Sequence, residues 1–99
     1  MSLTVATINV NGVRAALRKG FGDWLRCRNP DIVCLQEVRA SYDDLPAAIT
    51  APEGYHATHA PSERKGHAGV AVLSRREPTQ VRTGCGLAEF DQTGRYVET

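Results

Sequence analysis

No apolar run in the 99 residues approaches membrane-spanning length, and no basic segment followed by an apolar core opens the chain. Neither a membrane span nor a secretory signal is therefore expected, and the expected location is the cytoplasm. Cysteine is scarce: Cys27, Cys34 and Cys85 cannot all pair, and no two share a CxxC spacing. Reduced thiols fit this pattern better than a disulfide framework or a zinc site. Internal repeats, low-complexity stretches and linkers are also missing, so the chain is read as at most one small domain. Net charge is only +1, with 23% charged and 41% apolar residues, which excludes a disordered chain. That small net charge hides an asymmetry. Residues 1–40 carry six Lys or Arg against three acids, and 41–99 carry six against eight. A basic first part suits a polyanionic substrate.

Within that part, the residues most suggestive of chemistry are Asp31-Ile-Val-Cys-Leu-Gln-Glu-Val-Arg39. The apolar run Ile32 to Leu35 follows an Asn-Pro-Asp turn and reads as a short strand covered on both faces. Glu37 falls at its mouth, where a carboxylate held by a buried strand yet open to solvent is a candidate metal ligand. Upstream, Leu3 to Ile8 is a second such run and ends in Asn9-Val-Asn-Gly12. The intervening residues have helical character and are too many for a hairpin but enough for a βαβ crossover. Parallel neighbours joined this way put both carboxyl ends on one sheet edge, so Asn9 and Glu37 should sit side by side. Open α/β sheets bind their ligands at that edge.

The spacing of Leu17, Phe21, Trp24 and Leu25 predicts helix over residues 14–28. Gly20 and Gly22 weaken it in its middle, so a short turn at Arg14 to Lys19, a break and a better helix from Phe21 are expected, ended by Asn29-Pro30, with Trp24 anchoring it to the sheet. A one- to two-turn helix is expected from an Asp cap at Asp43-Asp44 through Ile49. Strands are expected at Tyr55 to Ala60, at Gly69 to Ser74 and, more polar, at about Thr79 to Thr83. Val70, Ala71, Val72 and Leu73 are apolar on both faces, the mark of an interior strand. Cys85 to Thr93 reads as a loop. Arg95 to Thr99 reads as a strand that stops at the last residue, so a longer domain is expected. His56 and His59 fall on opposite faces of their strand and cannot readily share a metal.

Metal-assisted phosphodiester hydrolysis needs oxygen ligands for a hard cation, donors for the phosphate, and a base for water. Glu37 supplies the first, and Asn9 is a neutral neighbour able to bind metal-water, steady Glu37 or donate to a phosphate oxygen. Oxygen donors favour magnesium over zinc, with manganese able to substitute. Left to themselves, Asn9 and Glu37 could equally be strand-end caps.

Four segments go further: Asn9-Val-Asn-Gly-Val-Arg-Ala15, Leu35-Gln-Glu-Val-Arg39, Lys65-Gly-His-Ala-Gly-Val-Ala-Val-Leu-Ser-Arg75 and Gly94-Arg95. In this order they resemble the opening segments of the exodeoxyribonuclease III and apurinic/apyrimidinic endonuclease family, a branch of the endonuclease/exonuclease/phosphatase superfamily. The resemblance implies a four-layer α/β sandwich, two sheets face to face with helices outside, of which residues 1–99 supply about the first sheet and its helices. It also implies a DNA-repair phosphodiesterase with 3′-to-5′ exonuclease and abasic-site endonuclease activity, dependent on Mg2+ and monomeric when complete. Its partner would be double-stranded DNA with abasic sites or 3′ ends. The family's metal-binding glutamate falls on Glu37 and its strand-one asparagine on Asn9. Its DNA-contacting basic turn falls on Arg14 and Ala15, its nearby lysine on Lys19, with a length difference at Arg18-Lys19 leaving one position open, and its Gly-plus-aromatic loop on Gly66 and His67. His67 stands where tyrosine is common, which weakens stacking. Arg39 replaces a frequent lysine, keeping the charge and changing its geometry. Asn11 matches a position that is acidic in some relatives, and is a candidate contact to a second metal or to the first metal's ligands.

The resemblance also defines what is missing. No Gly-Asp-x-Asn and no Ser-Asp-His occur in the 99 residues, so the family's base and its closing Asp-His pair are absent from them. Residues 1–99 alone are expected to be inactive. Two other readings are a DNA-binding module without catalysis and a phospholipid or phosphoinositide phosphoesterase of the same superfamily. Arg14, Lys19 and the Lys65 to Val70 loop disfavour the latter.

Overall fold

Four strands form one mixed sheet in the order β1-β2-β4-β3 in the computed structural model, which describes residues 2–64 and 66–99. They are β1 Val5–Asn9, β2 Ile32–Gln36, β3 His56–Ala60 and β4 Val70–Ser74. β1 and β2 are parallel, in register from Val5 with Ile32 to Asn9 with Gln36. The crossover between them holds α1 (Val13–Arg18) and α2 (Phe21–Arg28). β4 lies antiparallel to both β2 and β3, so the strand with apolar residues on both faces is indeed interior.

Helix boundaries follow the local chemistry. Gly20, at φ 105°, separates α1 from α2, and Asn29 ends α2 in the left-handed region, its N–H bonded to the Leu25 carbonyl. Asparagine tolerates that conformation, and Pro30 cannot extend the helix. Pro30 is buried, and its carbonyl accepts the Tyr55 hydroxyl at 2.7 Å, tying the crossover to the lead-in of β3.

Side chains alternate across the sheet, and the two faces have different fates. Val33, Leu35, Ala71 and Leu73 are buried with Val13, Phe21, Leu25 and Ile49, so the helices cover this face. Trp24 packs at the edge of that cluster, stacked on Phe21 with ring centroids 5.9 Å apart, as expected of a core anchor. The other face carries Val5, Thr7, Ile32, Cys34, Val72 and Thr58, and Val5 is 57% exposed.

Four expectations need correction. Instead of one helix capped by Asp43-Asp44, there is a 3-10 turn at Tyr42–Asp44 and then α3 (Ala47–Thr50), which starts after Pro46 with no side-chain cap. Pro46 imposes extended backbone on its predecessor and so splits the segment in two. Residues 79–83 and 95–99 are not strands but meet in one antiparallel bridge, Arg82 with Glu98. Among the described residues neither segment has a longer ladder to join. Within the expected 85–93 loop lies a single helical turn, α4 (Ala88–Asp91), with the Asp91 carboxylate accepting the Cys85 N–H at 2.8 Å.

His56 and His59 do lie on opposite faces, His56 exposed and His59 half-buried opposite Ala71. Burial pushes the His59 pKa down, with a backbone hydrogen bond at Ile49 partly opposing it. The unfolded chain therefore takes up this proton more readily than the folded one. Stability should be complete above the ordinary histidine pKa, about 6.5, and fall as pH drops below it. In urea melts between pH 7.5 and 5, His59→Gln should flatten part of this slope, and an unchanged slope would exclude His59 as its source.

Candidate functional site

The carboxyl ends of β1 and β2 do not fray into loops. Beyond β2, Gly12 N–H donates to the Glu37 carbonyl at 2.8 Å and Val13 N–H to that of Val38 at 2.9 Å. On the other side, Val38 and Arg39 N–H groups donate to Gly69 and Ala68 carbonyls at 3.0 and 2.8 Å. The Glu37-Val38-Arg39 stretch is thus clamped between the start of α1 and the approach to β4. Val38 is buried, and the side chains on either side of it reach the surface.

Holding this shape requires unusual backbone. Glu37, Arg39, Asn11 and Ala68 all have positive φ, between 46° and 56°. Such conformations cost a non-glycine residue about 1 kcal/mol or more and persist where surrounding contacts fix them. Their gathering at one sheet edge marks it as a built site.

Asn9 and Glu37 meet there side chain to side chain: the Asn9 amide donates to Glu37 Oε2. The Asn9 Oδ1 accepts the main-chain N–H of Asn11 at 3.0 Å, which turns the amide's donor end toward Glu37. Arg39 Nη2 donates to Glu37 Oε1 at 2.6 Å. Both carboxylate oxygens are therefore engaged. The hydrogen bond from Asn9, then that from Arg39, hold the carboxyl below the usual glutamate range, so Glu37 is ionised at neutral pH.

A cleft of about 480 Å³ opens beside this cluster, lined by Glu37, Arg39, Gly66, His67, Gly94 and Arg95 among others. Glu37 is the only acid among the described residues that line it. A second hollow, about 250 Å³, is lined by Gly12, Val13, Arg14, Ala15, Arg18 and Arg39. Arg39 borders both. The structure thus gathers Asn9, Asn11, Glu37, Arg14, Ala15, Arg39, Gly66 and His67 around one edge. Lys19 caps the end of α1 and does not line the hollow, whereas Arg18 does. Lys65 lies outside the described residues. Of the two positions that the resemblance left open, the hollow takes Arg18, and sequence reasoning missed Arg95 as a cleft residue. For Arg95, the Gly94-Arg95 pair was the available signal. For Arg18, the helical spacing from Arg14 would have placed both on one face.

The donor set decides which cation these residues suit. Glu37 offers carboxylate oxygens, Asn9 turns its amide N–H toward them, and the described residues contain no group of three His, Cys, Asp or Glu able to hold a metal. A hard divalent ion that keeps most of its water and takes one or two carboxylates fits such a set, and a closed zinc site does not.

An acid and an amide meet at the carboxyl ends of parallel strands, the edge at which open α/β sheets bind their ligands. Residues 6–97 match the model of the Endonuclease/Exonuclease/phosphatase family, and the chain belongs to that family. Within it, the similarity runs to exodeoxyribonucleases and AP endonucleases. The chain is 43% identical over 98 residues to the DNA repair nuclease APEX1 of Danio rerio, covering 97% of this chain and 32% of that protein. It is 41% identical over 90 residues to an exodeoxyribonuclease of Bacillus subtilis, covering 90% of this chain and 34% of that one. Its fold superposes on the 3′ phosphatase NExo from Neisseria, solved with a product DNA hairpin, with TM-score 0.79 and 30% identity. That match covers 97% of this chain and 36% of the other. The chain thus spans about a third of the length of these relatives.

Proposed function

We propose that residues 1–99 form the amino-terminal portion of a divalent-metal-dependent DNA-repair phosphodiesterase of the exodeoxyribonuclease III and AP endonuclease type. Its substrate is duplex DNA with abasic sites or 3′ ends. The observation that carries this reading is the Asn9–Glu37 pair, held abreast at the strand ends beside a cleft that Glu37 lines with its carboxylate. The relatives support the DNA substrate, since two are named as DNA-acting nucleases and a third was solved with a DNA product.

Each residue has a proposed part. Glu37 holds the cation, Mg2+ or Mn2+, and Asn9 fixes the carboxylate's orientation. When bound, that ion would neutralise charge building up on the attacked phosphate. Arg14, Ala15 and Arg39 bind the DNA backbone, as does Lys19 or Arg18, while Gly66 and His67 bring the 61–69 loop against it. Water activation needs a base that these residues do not supply, so residues 1–99 alone should bind DNA weakly and not cut it.

A direct comparison tests the proposal. The complete protein should cleave an abasic duplex in Mg2+, lose that activity on chelation, and leave phosphoinositides intact. Hydrolysis of the lipid in place of DNA would overturn it. Arg14→Ala should weaken DNA binding and reduce the slope of log affinity against log salt by about 0.9, the share of one phosphate contact. An unaltered slope would remove Arg14 from the interface.

A further inference from the structure

We propose that Arg39 is a resident stand-in for the metal: its guanidinium occupies the Glu37 carboxylate while the cation is away and yields it when the cation arrives. The proposal rests on the assignment of Glu37 as the metal ligand. It goes beyond that assignment by giving Arg39 a part in cation entry as well as DNA contact.

Three observations carry it. First, Arg39 Nη2 lies 2.6 Å from Glu37 Oε1, while Asn9 holds Oε2. A carboxylate with both oxygens engaged must give up a partner before it can enter a coordination shell. Second, the two candidates for release differ. The Asn9 side chain is itself oriented by the Asn11 N–H, and a neutral amide beside a cation costs little. Arg39 carries a full positive charge, which a divalent ion at the same oxygen would repel. Third, Arg39 has a place to go. Its backbone is fixed by its hydrogen bond to Ala68, but its side chain is 45% exposed and borders both clefts. Rotation about the side chain alone would move the guanidinium from Glu37 toward the hollow lined by Arg14 and Arg18. An arginine gathered there with two others is held apart only by like charge, and the phosphate chain of DNA would relieve that repulsion. The exchange would thus couple cation binding to the appearance of a third phosphate-binding cation.

The ion pair is partly exposed and its strength correspondingly modest, so its removal should shift cation affinity by a moderate factor. Mn2+ binding to the complete protein, read by electron paramagnetic resonance of the free ion, measures this without any turnover. Arg39→Gln should bind Mn2+ on the order of fivefold more tightly than the natural protein. Arg39→Lys, which keeps the charge but not the fork, should fall between the two. Glu37→Gln separates the two levels of inference. Loss of Mn2+ binding in Glu37→Gln together with unchanged or weaker binding in Arg39→Gln would overturn the stand-in role and leave the ligand assignment intact. Unchanged Mn2+ binding in Glu37→Gln would overturn both. A circular dichroism spectrum matching the natural protein's shows that each variant is folded.

Discussion

Glu37→Gln in the complete protein is expected to lower DNA cleavage by roughly 10³-fold, or about 4 kcal/mol of transition-state stabilisation, with DNA affinity nearly unchanged. The substitution is nearly isosteric, and the amide oxygen can still accept from Asn9 or from Arg39. What it removes is the negative charge in the cleft, on which cation affinity depends. In the proposed reading, binding to DNA draws instead on the arginines around the edge, none of which changes. Single-turnover cleavage and equilibrium binding, measured side by side, check both halves of the expectation. Full turnover in the variant would refute Glu37 as the metal ligand. A large loss of DNA affinity would mean that Glu37 positions the DNA-binding residues and that its part is structural.

The second large effect concerns stability. Gly94 is buried with φ +66°, and a Cβ there would stand 2.7 Å from the Ser62 Cα, 2.8 Å from the Pro61 carbonyl carbon, and closer still to the Ser62 nitrogen. All three are backbone atoms, which cannot swing aside as the end of a side chain can. The Gly94 carbonyl also accepts the Gly69 N–H at 2.8 Å, so the same residue ties residues 94–95 to the cleft wall. Gly94→Ala should therefore combine left-handed strain with overpacking and cost roughly 2–4 kcal/mol. Gly86→Ala is the control: its φ is +95°, but nothing lies within 4 Å of the added carbon. It should cost only about 1 kcal/mol, the strain alone. Urea midpoints of the two variants give the comparison. Equal losses would show that the contact with Pro61 and Ser62 is unimportant.

Particular residues show how far the sequence could be read. Ile32 to Leu35 and Val70 to Leu73 announce interior strands because apolar side chains on both faces have few alternatives. The parallel pairing of β1 with β2 followed from the length of the crossover, and with it the adjacency of Asn9 and Glu37. The insertion of β4 between β2 and β3 was not legible, since strand order depends on long-range pairing that local pattern does not encode. Left-handed backbone at Glu37, Arg39 and Ala68 was also hidden. Glycine or asparagine announces such a conformation, as at Asn11 and Gly12, but these three residues adopt it only because the bonds from Val38 and Arg39 to Gly69 and Ala68 hold them. Thr79 to Thr83 misled because a short polar segment becomes a strand only where a neighbour is present to pair with it.

The alternation of Glu37, Val38 and Arg39 has a consequence for how this stretch can change over generations. Substitution of either flanking residue leaves the hydrophobic tooth between them seated. Gain or loss of a single residue would instead drive a charge into the pocket of Val38 and turn the valine out to water. A change of length between Gln36 and Ala40 would therefore unseat the clamp, which a change of side chain beside Val38 would not.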